Sequence, residues 1–177
     1  VEVSLGRLAM GTVLEMTAYG EDPAAVRLAL ERAYEEIHEL DIQLSRYLQE
    51  SDISRLNRAE GKPLVVSAAV HDALEISLRE GTRSGGAFDV TVGPLTKLWR
   101  RARRRKQLPA VARLADAQRR VGYRFLSVDE KAGTLTLDRQ GMRLDLGGIA
   151  KGYAVDQALI VLGQHGITRA LVDGSGD

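Results

Sequence analysis

Cysteine is absent from this 177-residue chain, which removes disulfides, thiolate metal sites and cysteine nucleophiles together. Aromatic residues are scarce, at 5%, so a core must be built from Leu, Val, Ile and Ala within a hydrophobic share of 44%. That share offsets chain entropy, and disorder is not expected. No apolar run approaches the roughly 18 residues of a membrane span, and no signal-peptide pattern opens the chain. Charge of one sign is lacking too: 25 Lys+Arg against 24 Asp+Glu leave a formal net charge of +1, so no global field for nucleic acid or membrane is indicated. The length suits one globular domain or a large piece of a longer protein. The first residue is Val1, from which a removed upstream segment is expected.

What is present has clear periodicities. Residues 1–20 read as two short strands, with Gly6 and Gly11 marking bends or close approaches. Asp22 and Pro23 then start a helix whose stripe is Val26, Leu30, Ala33, Ile37, Leu40 and Leu44. Residues 45–62 read as a polar loop with one helical turn, and 64–66 as a brief strand. Ser67 caps a second helix, striped by Val70, Leu74 and Leu78 and ended at Gly81. A glycine-rich loop leads into a helical segment near 95–101, and a short helix is expected at 113–121. FLSVDE, TLTLD and MRLDL then read as half-buried strands joined by turns at 131–133 and near Gly141. After Gly147-Gly148 comes a helix carrying Ala154, Val155, Ala158, Leu159 and Leu162, ended by Gly163 and Gly166, and then the strand ITRALVD. The chain stops at GSGD, directly after that strand, which is read as a sign of truncation.

Four places invite chemistry. In LDLGGIAKGYAVD, residues 144–156, a strand ends on an acid, two glycines follow, and a helix opens with Lys151 and Gly152. Free N–H groups at a helix start favour an anion, phosphate above all, and glycine lets it approach the backbone. Lys151 would add a point charge. The pattern is neither GxGxxG nor GxxxxGK[ST], and spacing alone admits equally a tight strand-to-helix turn with an exposed lysine. In GGAFDVTVGPL, residues 85–95, Asp89 and Thr91 are placed to meet a hydroxyl, an amide or a metal-bound water, or Asp89 caps the turn before Pro94. Tyr47, within Ser45-Arg46-Tyr47 and near Ser51 and Asn57, either covers a flat ring or packs locally. The run RRARRRK at 100–106 has six basic residues in seven. Only Trp99 is aromatic nearby, so a solvated helix end is expected and nucleic acid is not. His38, His71 and His165 show no metal-ligand spacing and read as surface residues.

Five segments in order carry a family resemblance: AMGT at 9–12, LSRYLQESDISRLN at 44–57, GGAFDVTVGPLTKLW at 85–99, LDLGGIAKGYAVD at 144–156 and ALVDGSGD at 170–177. Together they resemble the FAD:protein FMN transferase family, also called ApbE or thiamine-biosynthesis lipoprotein. The resemblance implies a Mg²⁺-dependent reaction in which a threonine hydroxyl of a target flavoprotein attacks the FMN phosphorus of FAD and AMP leaves. It also implies that Met10, Tyr47, Ala87, Phe88, Asp89, Asp145 and Lys151 contact FAD. A backbone oxygen in the stretch Gly148–Ala150, assigned to Gly148 and Ala150, would be a metal ligand. It implies as well a periplasmic or cell-envelope location, with membrane association through a lipid anchor upstream of Val1, although some members are cytoplasmic.

The sequence departs from the family at Gly174-Ser175-Gly176-Asp177, where two adjacent glycines usually precede the Asp. A serine there restricts the backbone. Family members also continue further, and the downstream part supplies a histidine near the nucleotide and the Asp and Thr ligands of Mg²⁺. The 177 residues, as the N-terminal and central portion of such a domain, are therefore expected to have little activity alone. The expected fold is α+β, a mixed or antiparallel sheet with at least three packed helices, because 122–146 reads as hairpins rather than βαβ units. Two other readings stand beside the transferase: an FAD carrier or FAD pyrophosphatase-like relative without an acceptor protein, and an anionic-surface or nucleic-acid module using residues 100–106.

Overall fold

The computed structural model describes residues 1–174. The expected departure at Ser175-Gly176-Asp177 lies outside them. In chain order the elements are β1 (Glu2–Ala9), β2 (Thr12–Tyr19), α1 (Pro23–Leu44), α2 (Asp52–Leu56), β3 (Leu64–Val65), α3 (Ala68–Arg83), α4 (Gly93–Arg105), α5 (Val111–Arg119), β4 (Leu126–Asp129), β5 (Thr134–Leu137), α6 (Ala150–Gln164) and β6 (Arg169–Gly174). They fall into two compact units, Val1–Ile42 with Ile149–Asp177, and Gln43–Gly148. Each holds an antiparallel three-stranded sheet, ordered β1-β2-β6 and β3-β5-β4. The fold class is α+β, as expected.

In the first unit β2 alternates as its sequence demands: Leu14, Met16 and Ala18 are buried while Val13 and Glu15 are exposed. The buried stripe of α1 is the one expected, with Ala29 and Tyr34 added. Asp22 starts that helix by accepting from the Ala24 N–H at 2.9 Å. The Tyr34 hydroxyl donates towards Leu5 O at 2.8 Å and Leu14 O at 2.7 Å, tying α1 to both strands of the hairpin. The hairpin turns through Met10 and Gly11, both at positive φ (52° and 77°), the handedness that a two-residue hairpin loop requires. A methionine there is strained by about 1 kcal/mol or more. The Met10 N–H is held by Asp41 Oδ2 of α1 at 2.9 Å, which fixes the strained tip.

In the second unit Ser67 stands at the N-cap of α3 without a side-chain hydrogen bond to it, and two further sequence expectations fail for identifiable reasons. Gly81 does not end α3, which runs on to Arg83. Gly81 is buried beneath Tyr123, and a Cβ there would lie 2.9 Å from Tyr123 Cγ, so this glycine serves close packing. The helix stops instead at Gly85-Gly86, both at positive φ, with Gly86 N–H bonded to Gly81 O at 2.8 Å and Gly85 N–H to Thr82 O at 3.1 Å. That is the Schellman pattern, and it accounts for the two glycines that open the GGAFD segment.

The segment MRLDL, expected as a strand, has no strand beside it among the described residues, only an isolated bridge between Arg143 and Val92. Its partners are a side chain and a turn. Asn57 offers its amide as a surrogate strand edge, accepting from Leu144 N–H at 2.6 Å and donating to Leu144 O at 3.2 Å. Asp145 N–H donates to Val90 O at 2.8 Å, and Gly93 N–H to Arg143 O at 3.1 Å. Gly93 approaches so closely that an added Cβ would lie 2.7 Å from Arg143 Cβ and 2.8 Å from its carbonyl carbon.

Gly93→Ala should therefore lower the stability of this unit by about 3 kcal/mol, read as a drop in the denaturant midpoint. Burial pushes the Tyr34 hydroxyl above the ordinary phenol range. With the folded value raised, its contribution is whole below the unfolded phenol value of about 10 and fades as pH climbs through the folded value. Alkaline unfolding should show a fall in stability above about pH 10 that Tyr34→Phe flattens.

Candidate functional site

Each expected site residue belongs to one unit or the other. Met10, Ala150 and Lys151 are in the first unit; Tyr47, Ala87, Phe88, Asp89, Asp145 and Gly148 are in the second. The second unit organises its set around Asp145. This carboxylate is buried at 7% exposure. Its Oδ2 accepts from Arg46 Nη1 and from Thr96 Oγ1, each at 2.7 Å, and its Oδ1 accepts from Gly147 N–H at 3.2 Å. A buried carboxylate is tolerable only when paired and hydrogen-bonded in this way.

Local sequence sets up both partners. Ser45 Oγ accepts from the N–H groups of Tyr47 and Leu48 at 3.2 and 3.3 Å, and Ser51 Oγ donates to Leu48 O at 3.0 Å and to Ser45 O. Ser51 also caps α2 by accepting from Ser54 N–H at 3.1 Å. Three serines thus fix the loop from which Arg46 reaches Asp145. Thr96 sits one turn into α4, whose start is set by Gly93 and Pro94.

Tyr47 is exposed at 74% and does not present a bare ring. Arg46 lies 4.8 Å above the ring centroid, Arg100 is 5.9 Å from it, and the phenol oxygen accepts from Arg46 Nη2 and Arg100 Nη1, both at 2.6 Å. Around this pair opens a cavity of about 780 Å³, lined by Arg46, Tyr47, Asn57, Gly93, Lys97, Arg100, Arg103, Arg104, Arg143 and Leu144. The basic run of the sequence is therefore divided. All its charged members are exposed, as expected, but Arg100, Arg103 and Arg104 line this cavity, while Arg101 and Arg105 line a recess beside Leu108 and Pro109. Arg103, Arg104 and Arg105 also form the last turn of α4, where cations complement the helix dipole.

Asp89 is engaged within and beside its own turn. Its Oδ1 accepts from Thr91 N–H at 2.8 Å and Thr91 Oγ1 at 2.6 Å, and its Oδ2 accepts from Tyr123 N–H at 2.8 Å. Thr91 Oγ1 in turn accepts from Gly122 N–H at 2.7 Å. The pair staples residues 122–123 to the turn before α4. Ala87 is exposed, and Phe88, half-buried, lies against Gly148, where an added Cβ would be 3.4 Å from Phe88 Cε2.

The bend after Leu146 is at the surface, with Gly147 and Gly148 exposed and Leu144, Asp145 and Leu146 buried before it. Of its N–H groups, Gly147 is taken by Asp145, whereas Gly148, Ile149 and Ala150 donate to no acceptor among the described residues. The N-cap of α6, Ile149, supplies no side-chain acceptor. The carbonyl of Gly148 likewise accepts no hydrogen bond among the described residues, and that of Ala150 lies in the first turn of α6, where the helix ladder uses it. Lys151 is the second residue of that helix and is half-buried.

Sequence reading did not single out Thr96, Lys97 or Arg143, and it treated Arg46 and Asn57 only as neighbours of Tyr47. The position of Arg46 beside Tyr47 was the available signal; Arg143, outside any charge run, gave none. Among the described residues one other group brings ligand-type atoms together, His71, Asp72 and Glu75 on α3, within 4.8 Å of one another.

Comparison with known proteins gives one consistent answer. The ApbE family pattern matches residues 10–177. A FAD:protein FMN transferase of Treponema pallidum is 34% identical over 185 aligned residues, covering 99% of this chain and 51% of that protein. One from Klebsiella pneumoniae is 32% identical, covering 94% and 49%. Among solved structures, the flavin transferase ApbE of Vibrio cholerae superposes with a TM-score of 0.85 at 27% identity, over 99% of this chain and 58% of that one. The ApbE protein of Thermotoga maritima gives 0.88 at 25% identity, over 99% and 57%. The chain thus spans about half the length of the curated relatives it matches.

If Asp145 depends on its buried partner, Arg46→Met should cost about 3 kcal/mol of unfolding free energy, because a desolvated carboxylate loses its counter-charge. The exposed pair of Arg32 with Glu35 should be worth about 1 kcal/mol or less, so Arg32→Met is the control. Adding Asp145→Leu to Arg46→Met should recover most of the loss in urea unfolding, and equal effects of the two arginine changes would contradict the assignment.

Proposed function

Since the chain belongs to the ApbE family, we propose that it forms the N-terminal and central part of an FAD:protein FMN transferase. In the proposed reaction a threonine oxygen of a target flavoprotein attacks the phosphorus of the FMN half of FAD. The new oxygen–phosphorus bond replaces the one to AMP, which leaves, and the threonine proton is released. The observation that carries this reading is the exposed Gly147-Gly148 bend, held in place by a buried carboxylate and followed by N–H groups with no acceptor among the described residues.

The residues divide the work. The N–H groups of the bend would bind diphosphate oxygens, which glycine permits to come close. Asp145 Oδ2 is committed to Arg46 and Thr96, but Oδ1 holds only the long bond to Gly147 and keeps capacity for one more donor, such as a hydroxyl of the nucleotide. Phe88 and Ala87 offer apolar contact beside Gly148, with Asp89 acting through the turn it staples and Tyr47 through Arg46. Met10 and Lys151 enter on the family resemblance alone.

The residues present fit a hard divalent cation in one respect. Gly148 is an exposed residue whose carbonyl has no donor among the described residues, the kind of oxygen Mg²⁺ takes, and it fits better than Ala150, which is buried and whose carbonyl belongs to a helix. When bound, such a cation supplies positive charge to a diphosphate under attack. On the same resemblance the reaction takes place in the periplasm or cell envelope, with the protein held at the membrane by a lipid upstream of Val1.

The test is covalent flavinylation, read as flavin fluorescence on a denaturing gel. A protein of the relatives' full length that contains these residues should label a threonine-bearing acceptor in the presence of FAD and Mg²⁺. EDTA should abolish the labelling, and Thr→Ala in the acceptor should do the same. The 177-residue chain alone should label little or none; labelling by either protein that survives EDTA would overturn the proposal.

A further inference from the structure

Charge is unevenly distributed along the chain although it nearly cancels overall. Between Asp89 and Asp116 there is no acidic residue, and the same stretch carries Lys97, Arg113 and the six cations of the run at 100–106. Within it stands LPAVA, residues 108–112, five apolar residues in succession. A run of that kind is ordinarily buried. Here Leu108 is exposed at 80% and Val111 at 83%, Ala110 and Ala112 are exposed as well, and Pro109 is half-buried.

Local structure fixes the turn that carries this run. Helix α4 ends in a Schellman pattern, with Gln107 N–H bonded to Ala102 O at 3.1 Å and Lys106 N–H to Arg103 O at 3.2 Å. The left-handed position of that turn, φ 51°, usually belongs to glycine. Lysine is strained there, and it sets a cation where the chain leaves the helix. Val111 then opens α5, with Ala110 at the N-cap offering no side-chain acceptor. Arg101, Arg105 and Arg113 share a recess with Leu108, and no acidic residue lines it. None of the three, nor Lys106, has an ion-pair partner among the described residues.

An apolar tip collared by unpaired cations fits a counterpart that is anionic at its surface and apolar beneath. A small oligoanion matches the collar but not the leucine and valine. An apolar protein groove matches the leucine and valine but not the collar. A bilayer with anionic headgroups presents both in the right order. Arginine and lysine stems let the charges stay with the phosphates while apolar side chains reach the acyl boundary, about 5–10 Å in. We propose that the α4–α5 corner of the Gln43–Gly148 unit is a contact site for an anionic lipid surface. Leu108 and Val111 enter the interface, and Arg101, Arg105, Lys106 and Arg113 meet its headgroups. The contact uses residues of α4 other than those in the Tyr47 cleft, takes no part in the transfer and needs no lipid upstream of Val1.

Co-sedimentation of the unlipidated 177-residue chain with vesicles tests this. Vesicles of phosphatidylcholine with about one-quarter phosphatidylglycerol should bind it, less so as salt is added, and pure phosphatidylcholine should bind little. Leu108→Ser with Val111→Ser leaves the net charge unaltered and should weaken binding about tenfold. Arg105→Gln with Arg113→Gln should weaken it about tenfold or more. The control is Leu8→Ser with Leu171→Ser, which removes two exposed apolar side chains from the other unit and should change binding about twofold or less. Circular dichroism checks that each variant is folded. No binding to the anionic vesicles, equal binding to pure phosphatidylcholine, full binding by the Leu108 and Val111 variant, or an equal loss from the control would overturn the proposal. So would tighter binding of polyglutamate, which would assign the corner to an acidic protein, or a dimer that Leu108→Ser with Val111→Ser dissolves.

Discussion

The ion pair between Arg46 and Asp145 is the constraint around which the Gln43–Gly148 unit is arranged. A carboxylate at 7% exposure has lost its hydration, and two 2.7 Å bonds from a guanidinium and a threonine hydroxyl are what make that position tenable. Those bonds draw together three places far apart in the chain: the serine-fixed loop before α2, the first turn of α4, and the segment 142–146. Asn57 and Gly93 secure the same segment through its backbone, so its path is specified at 143, 144 and 145 in succession.

Immobilising that segment has a consequence one residue further on. With Leu144, Asp145 and Leu146 buried and anchored, the chain must emerge at Gly147-Gly148, where it also passes from one unit to the other. The Gly147 N–H turns back to Asp145, and the exposed residue that follows is Gly148. Arg46 carries the arrangement outward as well: one nitrogen holds Asp145 and the other holds the Tyr47 phenol, where the field of α4 cations begins. A single guanidinium thus links the buried carboxylate to the Tyr47 phenol, which also accepts from Arg100 of α4.

Much of this was written in the sequence, and the misses share a cause. Periodicity located α1, α3, α6 and the strands of both sheets, because burial of one face leaves a regular trace. It misread Gly81, since a glycine packed beneath a ring looks in sequence like a glycine that ends a helix. It misread MRLDL for a related reason: apolar alternation signals an extended half-buried segment but not what pairs with it, and here the partners are an asparagine amide and a turn. The glycine bend and its acid were legible as a motif. Thr96 and Arg143 were not, because their roles arise from contacts across 49 residues in one case and from a shared cavity wall in the other. The run at 100–106 was visible as charge, yet only the winding of α4 separates Arg103 and Arg104 from Arg101 and Arg105.

The account stands or falls on the bend after Leu146 being a seat for an anion. Amide-resolved NMR of isotopically labelled chain, titrated with FAD in the presence of Mg²⁺, addresses it at the atoms concerned. The largest shifts are expected at the N–H groups of Gly148, Ile149 and Ala150, with the Leu144 amide, held by Asn57, nearly unmoved. Saturable shifts confined to other residues, with those three amides unchanged, would contradict it.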